Sequence, residues 1–354
     1  MHDRAQAIRC WFCCWFFWFA LWFAFGRSLV VTGSGRRLTV IALTVIAAGG
    51  LAGCSAATAG TPGSAGEVTD VTVDAVPATG AAGLYIAEDD GFFAAAGLKV
   101  TIRSSVSAAD TVPDLLRGQA DVTLGQWTTA IALEAAGKKL TALAAGNSGG
   151  PGLEEIVTIP GSPIRTLAQL AGKTIAVNAT SGLGQLLVET AAAPYLPAAR
   201  LRFTIVPFPR MGAALAAHRA DAAFMIEPYL SQALMKYGVT ELADIDQGPV
   251  QDIPITGYYA TARWVHARPA VAAAFTRALE KGQRIAATDR AAVEQALISH
   301  LRISPETAAV MSLGTFPTGP VDPVELTRVG DLMRTGGVLP ANADIPVIAR
   351  KLVS

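Results

Sequence analysis

The chain has little charge for its length and no excess of either sign. Lys, Arg, Asp and Glu make up 16% of its 354 residues, and 28 basic side chains are balanced by 28 acidic ones. A protein that binds nucleic acid needs a basic surface to neutralise phosphates, so we expect no nucleic-acid partner. Hydrophobic residues amount to 51%, which excludes an intrinsically disordered chain and suffices for one large or two ordinary domains.

Cysteine and histidine are also scarce. The four cysteines are Cys10, Cys13, Cys14 and Cys54. Since none follows residue 54, the later chain can form neither a disulfide framework nor a thiolate metal cluster. The later histidines, His218, His266 and His300, stand alone, without the spacing of a metal-binding motif. We therefore expect no metal centre and no cofactor.

Two apolar segments precede residue 55. The first is an aromatic block at residues 10–25, and the second, residues 38–51, follows Arg36-Arg37 and ends in Leu-Ala-Gly-Cys at residues 51–54. A charged start, an apolar middle and a small-residue end are the three regions of a secretory signal. The second segment is short for a membrane span, so we predict a signal peptide at residues 31–53.

The end of this signal resembles the lipobox of bacterial lipoproteins. The resemblance implies that Cys54 receives a diacylglyceryl group and becomes the first residue of the mature protein. The alternative is a cysteine that ends an ordinary signal or a buried helix. Arg36-Arg37 also resembles a twin-arginine signal, which leaves the export route open.

The aromatic block has two interpretations. Residues 1–30 form an additional membrane helix, or translation starts later, near Val30 or Val31, and the block is never made. We favour the later start, because a working signal lies close to the terminus. Residues 54–67 are small and polar and predict a flexible tether.

From residue 68 to residue 226 the apolar pattern repeats the order strand, helix, strand. The first strand is predicted at residues 71–76, a helix at 84–89 and the next strand at 98–102. This order predicts an α/β fold with parallel strands. From about residue 267 the pattern is mostly helical.

Residues 115–124 and 215–224 match at an offset of 100 residues. Each contains a helix end, a turn with an aspartate (Asp121 or Asp221) and an apolar strand. If the halves are copies, Trp127 and Glu227 follow equivalent strands. Ligands of open parallel sheets bind beyond the carboxyl ends of strands, so we expect both residues on opposite walls of one cleft. The alternative is that both are surface-loop residues.

Five segments resemble the nitrate/sulfonate/taurine-type solute-binding proteins of ABC importers, a family that also includes binders of thiamine-pyrimidine precursors. They are residues 84–100 (LYIAEDDGFFAAAGLKV), 115–125, 166–177, 213–229 and 268–288. The resemblance implies a two-lobed periplasmic-binding-protein fold of type II with two crossing strands as its hinge, near residues 156–158 and 256–258. Lobe I would comprise residues 68–158 and 258–354, and lobe II residues 159–257.

The same resemblance implies ligand contacts where strands end. In the first lobe these positions are Thr79, Gln126, Trp127, Thr128, Asn147 and Ser148. In the second lobe they are Thr180, Ser181, Gly182 and Glu227, with Arg210 nearby in sequence. Hydroxyls and free amides at a helix N-terminus, such as those of Thr180 and Ser181, can donate hydrogen bonds to an anion or a carbonyl, although plain helix capping is the alternative.

Glu227 bears on the charge of the solute. A carboxylate on the cleft wall would repel nitrate or a sulfonate, so either Arg210 pairs with Glu227 or the solute carries an amine. Trp127 favours the same kind of solute, since an indole face suits a planar ring or a cation. The alternative for Trp127 is an exposed residue at the hinge.

The sequence contains two weak enzyme motifs. Residues 146–150 fit G-x-S-x-G around Ser148, but the glycines and proline at 149–152 predict no helix after it, as a nucleophile elbow requires. Gly182-x-Gly184 lacks the third glycine of a dinucleotide site. We therefore expect no catalytic activity.

Together these features predict a monomeric solute receptor on the outer face of the bacterial cell membrane, held there by lipid. It would capture a sulfonate- or taurine-like solute, or an amine-bearing heterocycle, and deliver it to an ABC permease with its ATPase. Two alternatives stay open: an extracytoplasmic hydrolase that uses Ser148, and a sensory receptor.

The lipid anchor can be tested directly. We expect Cys54→Ser to abolish incorporation of labelled fatty acid, because the thiol is the site of acylation, whereas a Ser55→Ala control should keep the label. Undiminished labelling of the Cys54→Ser chain in a labelled-palmitate assay would contradict the assignment.

Overall fold

The computed structural model of the protein describes residues 68–105, 108–180 and 182–354. These described residues belong to one compact unit. The predicted signal peptide, Cys54, the tether and Ser181 lie outside the described residues.

Two five-stranded sheets organise the described part. The first has the strand order β2-β1-β3-β10-β4 and the second the order β7-β6-β8-β5-β9. The strands of the first sheet are β1 (Thr69–Ala75), β2 (Leu98–Ser104), β3 (Val122–Gln126), β4 (Leu140–Ala145) and β10 (Thr256–Thr261). Those of the second are β5 (Glu154–Thr158), β6 (Thr174–Val177), β7 (Arg202–Ile205), β8 (Ala222–Ile226) and β9 (Thr240–Asp244).

Thirteen α-helices connect and cover these sheets in the described residues. They are α1 (Ala82–Asp89), α2 (Phe92–Ala95), α3 (Ala108–Arg117), α4 (Trp127–Ala135), α5 (Leu183–Ala192), α6 (Phe208–Ala216), α7 (Tyr229–Tyr237), α8 (Ala262–Ala267), α9 (Pro269–Thr288), α10 (Arg290–Leu301), α11 (Pro305–Val310), α12 (Pro323–Thr335) and α13 (Ile345–Leu352). Short 3-10 turns occur at Thr79–Ala81, Leu167–Leu170, Ala198–Arg200 and Gly248–Val250. The α/β class is confirmed, as is the helical character of the chain after residue 267.

Local sequence signals explain where the C-terminal helices begin. Pro269, Pro305 and Pro323 each occupy the first helical position, where the missing N–H of proline costs nothing. Ser304 and Asp322 precede two of them and accept hydrogen bonds from backbone amides of the first turn.

The duplicated segments make the same interactions in the two sheets. Asp121 accepts a hydrogen bond from the amide of Thr72 at 2.9 Å, and Asp221 accepts one from Thr174 at 2.8 Å. The amide of each aspartate returns a bond to the carbonyl of the same threonine. Each aspartate thereby ties the start of β3 or β8 to the parallel strand beside it, β1 or β6.

One strand in each sheet arrives from the other half of the chain. β10 runs antiparallel between β3 and β4, and β5 runs antiparallel between β8 and β9. The chain leaves the first sheet through residues 146–153, which we call the first crossing segment. It returns through residues 245–255, the second crossing segment. The strands expected at 156–158 and 256–258 are the first ones after these segments; the exact lobe boundaries stay a prediction.

Apolar burial follows the same division. One cluster joins the first sheet to α1, α9 and α10, while the other joins the second sheet to α5 and α6 and also includes α4, α12 and α13. α12 and α13 lie against α4, and Gly336 at the end of α12 contacts Leu186 of α5. The C-terminal helices therefore link elements of both sheets.

The strand-start aspartates yield a test. We expect Asp121→Ala to lower the free energy of unfolding by about 1–2 kcal/mol, since it removes a charged acceptor from the Thr72 amide. Urea denaturation of the full chain in detergent measures this. Asp90→Ala, an exposed aspartate just after α1, is the control, and equal losses in both variants would contradict the assigned role.

Candidate functional site

The carboxyl ends of β3 and β8 lie beside the ends of the two crossing segments. β10 starts opposite the end of β3, where Thr256 pairs with Gln126. β5 starts opposite the end of β8, where Glu154 pairs with Ile226. The strand ends on which sequence reasoning placed the ligand contacts therefore lie at the passage between the sheets.

The positions of Trp127 and Glu227 are equivalent in the backbone. The amide of Trp127, the first residue after β3, donates to the carbonyl of Ile255 at 3.0 Å. The amide of Glu227, the first residue after β8, donates to the carbonyl of Leu153 at 3.2 Å. Ile255 and Leu153 directly precede β10 and β5, so each pair holds the end of a crossing segment against a parallel strand.

Two hydrogen bonds join groups from the carboxyl ends of the two sheets. The Tyr229 hydroxyl, at the start of α7, donates to the carbonyl of Pro77, after β1, at 2.7 Å. The amide of Leu183, at the start of α5, reaches Gln126 Oε1 at 3.5 Å. Burial raises the pKa of Tyr229 to about 12, so this hydroxyl is a neutral donor at physiological pH.

Most of the predicted first-lobe residues are buried at this edge. Thr79 begins the 3-10 turn Thr79–Ala81, and Asn147 Oδ1 accepts from the Thr256 hydroxyl at 2.5 Å. Thr128 is 4% exposed, and its hydroxyl has no hydrogen-bond partner among the described residues. An unpartnered buried hydroxyl costs stability, so Thr128 has bonding capacity to spare, as does the Gln126 side chain, whose amide group makes only the long contact with Leu183.

Trp127 lies in the core. Its side chain is 1% exposed, and its ring centre lies 6.3 Å from that of Tyr259. A Cβ at Gly257 would overlap the indole, so the glycine makes room for the ring. The two alternatives, an exposed tryptophan at the hinge and a surface-loop residue, are wrong for Trp127; contact between Trp127 and a solute stays a prediction.

Ser148 is held in the backbone of the first crossing segment. Its amide and carbonyl both bond to Thr315, at 2.9 and 3.2 Å, and residues 149–153 contain no helix. The prediction that no helix follows Ser148 is confirmed, and the geometry of a nucleophile elbow is therefore missing at this serine.

The second-lobe residues differ in exposure. Thr180 is exposed, Ser181 lies outside the described residues, and Gly182 is the N-cap of α5 without a side-chain hydrogen bond to the helix. The N-cap position is thus occupied by Gly182, and the choice between ligand binding and helix capping at Thr180 and Ser181 stays a prediction. The first amides of α5 point toward Gln126, as the Leu183 contact demonstrates.

Glu227 is turned into the start of α7. Its carboxylate accepts from the Ser231 hydroxyl at 2.7 Å and from the Ser231 amide at 3.1 Å. Burial raises the pKa of the Glu227 carboxyl, and the hydrogen bonds from Ser231 oppose that rise. Arg210 is exposed in the first turn of α6, and the ion pairs among the described residues do not include it. The suggested Arg210–Glu227 pair is therefore not formed.

Sequence reasoning missed Tyr229, Pro77 and Phe208. The Tyr229 ring stacks on Phe208 with 5.8 Å between ring centres and an angle of 9°, which orients its hydroxyl toward Pro77. Only the position of Tyr229 two residues after Glu227 hinted at it; the contact depends on how the sheets are placed.

A separate groove lies at the opposite edge of the first sheet. Its lining includes Lys139, Thr141, His266 and Lys351, beside the start of β4 and the end of β10. None of the predicted ligand residues lines it. No three His, Cys, Asp or Glu side chains among the described residues are grouped to hold a metal, and no helix there is long and apolar enough to span a bilayer.

Comparison with known proteins supports one family. A family model described as NMT1/THI5 like matches residues 78–292, more than half of the chain. A comparison with curated protein sequences gives no match.

Solved structures with the same fold include binding proteins and one enzyme. The periplasmic aliphatic sulphonate binding protein of Escherichia coli is 19% identical, with 80% of this chain and 92% of that chain covered and a TM-score of 0.64. The periplasmic nitrate-binding protein of Synechocystis PCC 6803 is 19% identical, covering 81% and 86% with a TM-score of 0.68. The desulfurization enzyme DSZB is 16% identical, covering 80% and 99% with a TM-score of 0.59. At these identities the likeness establishes the periplasmic-binding-protein fold.

The contact across the strand ends can be tested. We expect Tyr229→Phe to lower the free energy of unfolding by about 1 kcal/mol, because it removes the bond to Pro77 and keeps the stacked ring. Tyr237→Phe is the matched control at the other end of α7, since no hydrogen bond of the Tyr237 hydroxyl occurs in the described residues. Equal unfolding midpoints in urea for Tyr229→Phe and wild type would contradict the role of the hydroxyl.

Proposed function

Because the chain belongs to the NMT1/THI5-like family, we propose that it is the extracytoplasmic solute-binding component of an ABC importer. The observation that carries the proposal is the meeting of two sheets at their carboxyl ends, with hydrogen-bonding groups from both sides. Open α/β sheets bind small ligands at such an edge. The sulphonate- and nitrate-binding neighbours with this fold support the same role.

The mechanism is a shift between open and closed arrangements of two lobes. A solute that bonds to groups on both walls stabilises the closed arrangement by its differential affinity for that state. Gln126 from the first sheet and the α5 amides from the second already approach each other, and a solute between them would bridge the walls. The closed form would then dock on the permease, and no covalent bond would change.

The wall groups favour a polar solute recognised mainly by neutral donors and acceptors. Glu227 is occupied by Ser231, and Arg210 is exposed. The remaining groups are the Thr128 hydroxyl, the Gln126 amide and the amides at the start of α5. Helix N-terminal amides suit a sulfonate or another anion, while a side-chain amide such as Gln126 suits the ring nitrogens of a heterocycle. A sulfonate- or taurine-like solute, or an amine-bearing heterocycle, fits this set.

The cellular setting follows from the N-terminal segment. A signal peptide with a lipidated Cys54 would anchor the receptor to the outer face of the cell membrane, and residues 55–67 would let it reach a permease. Solute capture by a single chain needs no oligomer, so we propose a monomer.

A hydrolase is the second candidate, and the likeness to a desulfurization enzyme demonstrates that this fold can host catalysis. The surroundings of Ser148 do not favour a hydrolase, because the amide and carbonyl of this residue bond to Thr315 and no helix follows it. We propose that the chain is not an enzyme. Hydrolysis of an ester or amide substrate that is abolished by Ser148→Ala would contradict this.

A thermal-shift screen tests the solute-binding role. The full chain in detergent is heated with taurine, alkanesulfonates, nitrate, bicarbonate, aminopyrimidines, flavins or amino acids. A solute at 100 times its dissociation constant should stabilise the protein by about 2.7 kcal/mol. We expect Gln126→Ala to weaken the affinity for the solute about tenfold, because it removes a wall contact worth about 1.4 kcal/mol. The thermal shift at the same solute concentration should then be smaller.

Gln295→Ala is the matched control. Gln295 is exposed on α10, a helix that packs with the first sheet, and it is not one of the residues at the strand ends. This substitution should leave the shift unchanged. A shift that survives intact in Gln126→Ala would place the solute elsewhere, and the absence of any shift across the panel would contradict the proposed solute chemistry.

A further inference from the structure

Two buried carboxylates lie close together where the crossing segments meet, since the amide of Ile245, the neighbour of Asp246, donates to the Glu154 carbonyl at 3.2 Å. Glu154 directly follows the first crossing segment and is 2% exposed, while Asp246 belongs to the second and is 1% exposed. Among the described residues no side chain donates to Glu154 Oε2 or to Asp246, whose carboxylate meets only the backbone amides of Gly150 and Glu154. Neither residue takes part in the ion pairs of the described residues. Two like charges buried without a cation cost far more than a pair that holds a proton.

Gly149 brings the backbone of the first crossing segment onto an acid of the second. A Cβ at Gly149 would lie 2.5 Å from Asp246 Oδ1. The amide of Gly152 donates to Asp244 Oδ2 at 3.1 Å. The acids thus lie where the two segments touch, and any change in their charge acts on this contact.

The charged groups around the pair are nearly all acidic. Asp244 faces both carboxylates, and Asp252 faces Asp246. On the neighbouring strands Glu155 faces Glu241 and Glu227. Among the described residues, the basic side chain that bonds to a crossing segment is that of Arg328 in α12. It donates to the Gln251 carbonyl at 2.8 Å and is paired with Glu325 at 2.6 Å.

We propose that Glu154 and Asp246 share a proton that holds the two crossing segments together, so that the passage between the sheets is a pH-sensitive hinge. Loss of the proton leaves two buried negative charges in contact, and their repulsion separates the segments. Because both segments connect the two sheets, separation loosens the arrangement in which a solute would be bound. The inference does not depend on which solute the protein takes.

The sign of the pH effect follows from the direction of the shifts. Burial raises the pKa of Asp246 to about 7, and burial with the nearby charge of Asp246 raises that of Glu154 well above its ordinary range. Unfolded carboxyls titrate near pH 4, so the folded chain holds more protons between about pH 4 and pH 7. Its stability is therefore greatest below pH 4 as far as this pair is concerned, and it falls as the pH rises through the folded pKa.

The test is the melting temperature of the full chain in detergent, without solute, between pH 5 and pH 8.5. We expect the wild-type value to fall over this range and the fall to be reduced to roughly half or less in Glu154→Gln and Asp246→Asn, because one buried charge is removed. Part of the slope remains in every variant, since burial also raises the pKa of Glu155 to about 7.

Asp90→Asn is the control, because it removes a negative charge at an exposed position just after α1. Its profile should run parallel to that of the wild type. If Glu154→Gln and Asp246→Asn also run parallel to the wild type, the shared proton is refuted.

A second measurement needs no variant and covers the case in which both variants fail to fold. Infrared spectroscopy of the wild-type chain at pH 6.5 should detect a protonated carboxyl band that exchanges slowly with deuterium, as a fully buried proton requires. A spectrum with only ionised carboxylates at this pH would overturn the proposal. Neither result bears on whether a solute is found, so the two proposals fail separately.

Discussion

The double passage of the chain between its two sheets is the constraint on which the rest of the structure depends. Each passage ends in a strand that enters the other half antiparallel to its neighbours, β5 in one sheet and β10 in the other. The amides of Glu227 and Trp127 hold the residues just before these strands. Register is fixed at these points, because a slip of one residue would turn every buried side chain of the inserted strand to the wrong face.

The crossings also determine what the carboxyl ends of the strands can do. Since both segments run along the same edge, the loops after β1, β3, β6 and β8 meet there, and Tyr229 can reach Pro77. Gly149 permits the close approach of the two segments, because a Cβ there would lie 2.5 Å from Asp246 Oδ1. The serine before it, Ser148, is committed to the Thr315 backbone, which explains how a G-x-S-x-G pattern can occur in a segment that is not a nucleophile elbow.

Three buried carboxylates, those of Glu154, Glu227 and Asp246, lie at this edge, where water has little access to them. Glu227 satisfies its carboxylate through the hydroxyl and amide of Ser231, whereas no side chain among the described residues donates to Asp246 or to Glu154. Buried polar groups without partners are unfavourable unless another role offsets the cost. In the proposed hinge this unfavourable energy would lower the barrier to separating the two crossing segments.

The sequence by itself determined the α/β class, the strand and helix positions, the duplication and the family resemblance. These depend on local apolar periodicity and on short-range contacts such as the aspartates before β3 and β8, which recur wherever the pattern recurs. It placed the end of β8 at Ile226, as the structure does, whereas β3 continues beyond its predicted end to Gln126. Only the tertiary structure decided what the side chains there do: Trp127 is buried against Gly257, Glu227 caps a helix and Arg210 stays exposed. The burial of Trp127 depends on a partner more than a hundred residues away, Gly257, and no local pattern encodes the distance between them.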